Sequence, residues 1–288
     1  FLSSATEAWD RVFDNLVEQH SFHFVNGAFS KRFYETGIEL GRKSVCREAL
    51  LGKGFDNIEQ TVISANTEVI CLTHNETATG VFLPNSDITA VRNANTDKLI
   101  VIDAVSSLPY GNINFNDVDS VLFSVQKGFG LPAGLGVWIV NDRCIAKAEA
   151  LLAKGVKIGS YHSIPSLLIK VKLNQTPETP NILGIYLLSK VTQGMLKKGI
   201  STIRQETETK AKLLYQFVES HANYNAFVEN TSYRSNTVIV ANTITPSPEI
   251  NKALVQHGVS IGTGYGKLKE QQVRIANFPA VSVEEVEN

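Results

Sequence analysis

Through the first 140 residues, short β-branched or aromatic runs alternate with amphipathic stretches of helical period. That alternation predicts a mostly parallel sheet covered by helices. Helices are expected at about 4–19, 30–41, 57–65 and 86–94, and strands at 21–25, 69–73, 98–103, 120–125 and 135–140. Several of these strands are apolar almost throughout, as in strands covered on both faces, so the sheet is doubly wound. After Asn141 the pattern becomes a helix at 142–153, then a polar segment containing Tyr161-His162-Ser163-Ile164-Pro165 and Thr176-Pro177-Glu178-Thr179-Pro180. Proline punctuation of this kind reads as an excursion over the surface or an interface. A long helical pattern over 182–198 stops at Gly199. Beyond it a helix (202–222), a strand (237–241), a helix (248–257), a further strand and a last strand (273–276) form a smaller α/β unit, with no obvious closing helix. The expected organisation is a large domain over 1–182, a linking helix over 183–199 and a small C-terminal domain over 200–288.

Composition agrees with a globular chain. Its 288 residues are 43% apolar and 19% charged, which excludes a disordered tail, a collagenous rod and a long coiled coil. Lys and Arg number 27 against 28 Asp and Glu, so a net charge of -1 supplies no field for nucleic acid or anionic membranes. Neither is expected as a partner. Cys46, Cys71 and Cys144, three at wide spacing, fit free thiols in a reducing compartment. There is no apolar run of about 18 residues to span a bilayer, and Phe1-Leu2-Ser3-Ser4-Ala5-Thr6 lacks a signal peptide's basic head. A cytoplasmic protein is expected, in which the Asn-x-Ser/Thr triplets at Asn75, Asn174 and Asn230 are chance matches. Hydrolase chemistry finds no support: G-x-S-x-G, H-E-x-x-H and clustered Cys/His metal spacings are missing.

The most informative stretch is the strand at 120–125 and its continuation Gln126-Lys127-Gly128-Phe129-Gly130. It delivers Lys127 at a strand's carboxyl end, where ligands gather in open α/β sheets. Partial desolvation there lowers an ammonium pKa and frees the amine to attack a carbonyl. A plain surface lysine is the simpler reading of position alone. Gly128-Phe129-Gly130-Leu131-Pro132-Ala133 also satisfies G-x-G-x-x-A, but a strand follows where a dinucleotide motif needs a helix. One strand earlier, Leu99-Ile100-Val101-Ile102-Asp103 ends on a carboxylate facing the same crevice. Asp103 alone would be a cap or a metal or ribose ligand. Together the two are the pair a pyridoxal phosphate (PLP) enzyme needs: an amine for the aldehyde and an acid for the pyridine nitrogen. Ser3-Ser4-Ala5-Thr6, just before a helical pattern, offers a phosphate site at a helix N-terminus, or simply an N-cap. Phe29, in Gly27-Ala28-Phe29-Ser30, offers an aromatic face to a planar ring, or packs in the core.

These stretches, with Asn75-Glu76-Thr77 before Gly80, Ile102-Asp103-Ala104-Val105-Ser106-Ser107 and Arg274-Ile275-Ala276-Asn277-Phe278-Pro279, occur in an order that resembles the phosphoserine aminotransferases, and more broadly the class-V aminotransferases of PLP fold type I. The resemblance implies that Lys127 holds the cofactor as a Schiff base and shuttles the substrate Cα proton, while Asp103 pairs with the pyridinium nitrogen. It further implies that Phe29 stacks on the ring and Thr77 bonds near the phenolic oxygen. Ala5, Thr6 and Gln126 would bind the phosphate, joined by Thr179 (or Thr176) of a neighbouring subunit in a homodimer. Arg274 would clamp the substrate α-carboxylate, for which a bidentate guanidinium is suited, and Arg234-Ser235-Asn236 would be structural. Family members carry an upstream segment with a His-Arg-Ser element, whereas this chain opens at the phosphate loop. Their His-Arg pair before Arg274 is replaced by Tyr265-Gly266-Lys267-Leu268-Lys269, with Lys267 or Lys269 as stand-ins for a phosphate-binding group. The implied reaction is amino-group transfer between phosphoserine and 2-oxoglutarate. The alternatives are an alanine- or serine-glyoxylate exchange, which needs no phosphate clamp, and a non-catalytic PLP-fold binding module. A cysteine desulfurase is disfavoured, since Gln126 stands where that group carries histidine.

Overall fold

A computed structural model describes residues 1–287. The chain runs through α1 (Ala5–Leu16), β1 (His20–Val25), α2 (Ala28–Glu39), β2 (Lys43–Glu48), β3 (Val69–Thr73), the short β4 (Asn75–Glu76) and β5 (Val81–Phe82), α3 (Asn85–Ala94), β6 (Leu99–Asp103), β7 (Ser120–Ser124), β8 (Gly136–Val140) and α4 (Asp142–Ala153). It continues through α5 (Ile164–Lys172), α6 (Ile182–Lys198), α7 (Ile200–Ser220), β9 (Tyr224–Ala226), β10 (Val238–Thr243), α8 (Ser247–Val255), β11 (Gly262–Thr263), β12 (Gln272–Ala276) and α9 (Val283–Glu287).

Six strands make the main sheet in the order β2-β1-β3-β6-β7-β8. All pairs are parallel except β7 with β8. The apolar runs divide by alternation: Val69, Cys71, Leu99, Val101 and Leu122 point into one core with α1 and α4, while Ile70, Leu72, Ile100, Ile102 and Val121 point into the other with α3. With both faces covered, polar groups are driven to the strand ends, where the chain turns and a site can form. A second, antiparallel sheet, β11-β12-β10-β9, packs its Ile239, Ala241 and Val273 against Ala211, Tyr215 and Val218 of α7. Gly199, at φ 92, separates α6 from α7. None of the helices among the described residues is long and apolar enough to cross a membrane, and all three cysteines are free.

Besides the short strands β4, β5 and β9, which carry no sequence signal, four elements differ from the sequence expectation. The helix expected at 57–65 is one 3-10 turn, Ile58–Gln60, because Asn57 adopts a left-handed conformation (φ 46) and Thr61 is extended. Strand β2 was not anticipated: it is a sheet edge whose side chains are half-buried to exposed, so it shows no apolar run. Helix α5 forms inside the segment read as a surface excursion. There Ser163 caps the helix by accepting the Ser166 N–H, and Pro165 sits in its first turn, where a proline initiates rather than breaks. The last residues, read as lacking a closing helix, wind into α9.

Candidate active site

Asp103 closes β6 in register with Thr73 of β3 and Leu122 of β7, which places its carboxylate at the carboxyl end of the parallel strands. It is buried, and both oxygens have donors: Oδ1 accepts the Val105 N–H and Oδ2 the indole N–H of Trp9, each at 3.0 Å. Burial pushes its pKa up to about 6 against the pull of those two hydrogen bonds, and the nearby Glu76 adds to the rise.

Strand β7 runs on through Val125 and Gln126 to Lys127, where the Gly130 N–H returns to the Lys127 carbonyl at 3.0 Å. Gly128 is required by proximity, since a Cβ there would stand 2.1 Å from the Leu108 carbonyl oxygen. This tight turn leaves Lys127 half-buried. Among the described residues its amine has no hydrogen bond and no ion pair. Burial, with a smaller contribution from Arg274, holds its pKa below the ordinary lysine value.

Lys127 opens onto a cavity of about 210 Å³ between the two sheets, lined also by Thr77, Ser260, Gly262, Arg274 and Phe278. Arg274 enters from β12. Its Nε donates to the Thr263 carbonyl at 2.7 Å and its Nη1 to the Thr77 carbonyl at 3.3 Å. Its guanidinium also lies 4.6 Å from the Tyr265 ring centre. The far Nη2 makes no hydrogen bond among the described residues, so the guanidinium keeps donors for an anion. Tyr265 in turn meets Phe29 edge-on, with ring centres 5.4 Å apart and an interplanar angle of 70°. Phe29 is the second residue of α2, and the first turn of that helix is held by the buried carboxylate of Glu76. Burial raises the Glu76 pKa while hydrogen bonds from Ser30, Ala78 and Phe29 oppose the rise.

The N-terminus of α1 lies against the end of β7. Ser124 Oγ accepts the Ala5 N–H at 2.7 Å and Ser4 Oγ accepts the Glu7 N–H at 3.1 Å. Of the first-turn donors the Thr6 N–H keeps no partner among the described residues. The Thr6 and Gln126 side chains are exposed and likewise make no hydrogen bonds among these residues. An unpartnered N–H and two free polar side chains at a helix start suit an anion. Thr77, Lys127 and Arg274 thus meet at one cavity. Thr179 does not line it: it is exposed and borders a separate hollow with Ser3, Glu7, Tyr161 and His162. Thr176 is exposed too, and its hydroxyl donates to the Glu178 carbonyl at 2.6 Å. Lys267 and Lys269 are exposed and outside the cavity lining.

The sequence profile described as "Aminotransferase class-V" matches residues 52–281. The chain belongs to this family. Among curated relatives of this class-V aminotransferase, the phosphoserine aminotransferase of Rhodococcus opacus is 26% identical over 284 residues, covering 98% of this chain and 74% of its own. The crystal structure of a phosphoserine aminotransferase from Cytophaga hutchinsonii is 55% identical with a TM-score of 0.97, covering 99% of this chain and 79% of that one. An aspartate aminotransferase of Thermus thermophilus, at 22% identity and TM-score 0.87 over 100% of this chain and 80% of its own, shares the fold. The α/β architecture is that of PLP fold type I, and a class-V aminotransferase is a PLP-dependent transaminase. The donor set of this aminotransferase suits the cofactor its family implies: an unpartnered, partly desolvated amine, a buried carboxylate that a cation would relieve, and free donors at a helix start.

Three site residues escaped the sequence reading. Trp9 belongs to the apolar stripe of α1, and nothing local shows that its indole N–H reaches Asp103, 94 positions away. Ser124 looks like an ordinary strand residue, yet it takes the Ala5 N–H. Tyr265 stood only in the stretch that replaces a His-Arg pair, and a lone tyrosine in a glycine-rich loop carries no signal of its own.

Proposed function

We propose that this chain is a phosphoserine:2-oxoglutarate aminotransferase of serine biosynthesis, a cytoplasmic homodimer using PLP. In this reading residues 1–182 form the cofactor-binding domain, 183–199 the linking helix and 200–288 the small domain. The observation that carries it is the cavity in which an unpartnered Lys127 faces Arg274, in a chain 55% identical to a phosphoserine aminotransferase. When bound, PLP supplies an electrophilic aldehyde and an electron-withdrawing ring that stabilises charge at the substrate Cα.

This chain's residues do the rest. Lys127 Nζ would hold the cofactor aldehyde carbon and would take the substrate Cα proton, a task its lowered pKa favours. Asp103 keeps the pyridine nitrogen protonated. Its own pKa, raised by burial, falls once a cation stands beside it, so the pairing reinforces the charge on both partners. Phe29 would cover a ring face and the Thr77 hydroxyl would bond near the phenolic oxygen. Ala5, Thr6 and Gln126 would take the phosphate, joined by Thr179 of the partner subunit. Arg274 presents its remaining donors to the α-carboxylate.

A coupled assay of the protein tests the substrate pair: glutamate formed from phosphoserine and 2-oxoglutarate should exceed any alanine- or serine-glyoxylate exchange. The reverse order would overturn the phosphoserine assignment in favour of the second reading. That reading draws on Lys267 and Lys269 lying outside the cavity, which leaves Arg274 as the cation lining it with Lys127. Arg274→Lys should raise KM for the amino acid about 10- to 100-fold, the effect of losing a bidentate charge-assisted hydrogen bond. Cofactor attachment should be unchanged, and an unaltered KM would remove Arg274 from the carboxylate.

A further inference from the structure

Glu76 ends β4 and is wholly buried. Four donors saturate its carboxylate. Oε1 accepts the Phe29 N–H at 3.3 Å and the Ala78 N–H at 3.0 Å, and Oε2 accepts the Ser30 N–H at 2.9 Å and the Ser30 hydroxyl at 2.8 Å. No Lys or Arg pairs with it among the described residues. Its neutralisation comes from the first-turn N–H groups of α2, from one hydroxyl and from the Ala78 N–H of its own turn, an arrangement in which a helix N-terminus helps to stabilise an anion. The Ser30 oxygen also accepts the Asn26 N–H at 3.0 Å and the Gly27 N–H at 3.1 Å, so the grip extends into the turn between β1 and α2. Gly27 is moulded to the same group: a Cβ there would stand 2.3 Å from Glu76 Cγ.

A buried carboxylate that makes no ion pair, with Arg274 in electrostatic reach but not bonded to it, is an unfavourable choice for filling space, since an apolar side chain would do so without desolvation. What the carboxylate does instead is join two elements that share no strand ladder. One is the first turn of α2, which bears Phe29. The other is the turn after β4, which bears Thr77 and whose carbonyl holds Arg274. We infer that Glu76 is a positioning residue for the transamination site, fixing where the Phe29 ring and the Thr77 hydroxyl stand relative to each other. The inference rests on the proposed function, in which these two residues contact the cofactor ring from its face and its edge. Glu76 itself acts through Phe29 and Thr77.

The experiment compares the holoenzyme with Glu76→Gln, Phe29→Ala and the double variant, reading melting temperature, the borohydride-trapped PLP adduct, PLP Kd, visible circular dichroism of the bound cofactor, and kcat and KM. Glutamine keeps the shape but sets an amide N–H₂ against donors. The variant should still trap PLP on Lys127, with Kd about 10-fold weaker or more, as expected for the loss of charge-assisted hydrogen bonds. Its circular dichroism should shift in the sense of Phe29→Ala, and kcat should fall while KM, set by Arg274, moves less. The double variant should lose less than the sum of the singles, because the part of the Glu76 effect that runs through Phe29 is already gone when that ring is removed. Wild-type Kd and circular dichroism in Glu76→Gln, or strictly additive losses in the double variant, would overturn the inference. If Glu76→Gln does not fold, Ser30→Ala is read against the same outcomes, since it removes one donor and leaves the carboxylate. A wild-type protein that traps no PLP would defeat the proposed function itself. Trapping by the wild type with no change in the variants would defeat only the role of Glu76.

Discussion

Lys127→Ala is expected to abolish the trapped PLP adduct and to lower turnover by at least about 10³-fold, the range for removing a group that moves a proton in the rate-determining step. The protein should nevertheless remain as stable as before, within about 1 kcal/mol, because the amine makes no hydrogen bond or ion pair among the described residues whose loss would be felt. The combination separates a chemical role from a structural one. A lysine that merely closed a strand end would leave turnover intact, and one that braced the fold would lower the melting temperature. The lowered pKa adds a direction. Attachment of PLP to the wild-type protein should speed up as pH rises, with a midpoint below the ordinary lysine value of 10.5, because burial and then Arg274 disfavour the charged amine. An adduct on the alanine variant, or turnover unchanged from wild type, would remove Lys127 from the chemistry.

Asp103→Asn should lower kcat on the order of 10²–10³-fold, the loss that follows removal of one preorganised electrostatic partner from a reacting centre. It should also alter the pH dependence of stability without cofactor. The folded-state pKa of about 6 lies above the ordinary 3.8, so between these values the folded protein binds more protons than the unfolded chain, and stability falls as pH rises. That difference corresponds to about 3 kcal/mol, present below pH 4 and lost above pH 6. Asparagine carries no such burden, but its single carbonyl accepts only one of the Trp9 and Val105 N–H groups, a cost of about 1–3 kcal/mol at every pH. Denaturation of the two cofactor-free proteins at pH 4 and pH 7 should therefore show the asparagine variant gaining on wild type as pH rises. Parallel pH profiles would mean that the carboxylate is not desolvated as the geometry requires.

The strands that carry these two groups were legible because their physics is local. A run such as Leu99–Asp103, apolar at every position until its last, is explained only by cover on both faces, and its terminal carboxylate then stands out. Strand β2 was hidden because an edge strand need not be apolar, and α5 because a proline in a first turn reads as a breaker until its Ser163 cap is seen. Within the site, Lys127 stood out as a charge at a strand's carboxyl end, whereas Arg274, in the middle of β12, was singled out by the family resemblance. Trp9 and Tyr265 were silent because their roles depend on partners that only the folded chain brings near: Asp103 for one, Phe29 and Arg274 for the other. Glu76 stood in a motif that could be read, but its four donors come from α2 and its own turn, a convergence that no spacing along the chain encodes.

Arg274 is tied to its own sheet through Thr263 and to the opposite layer through Thr77, 197 positions earlier. A ligand that seats its carboxylate on this guanidinium therefore straddles a seam, and occupancy is felt as cohesion between the layers. Competitive inhibitors of the site should act as molecular glue, their affinity readable as slower protease cutting around Gly199, where α6 meets α7.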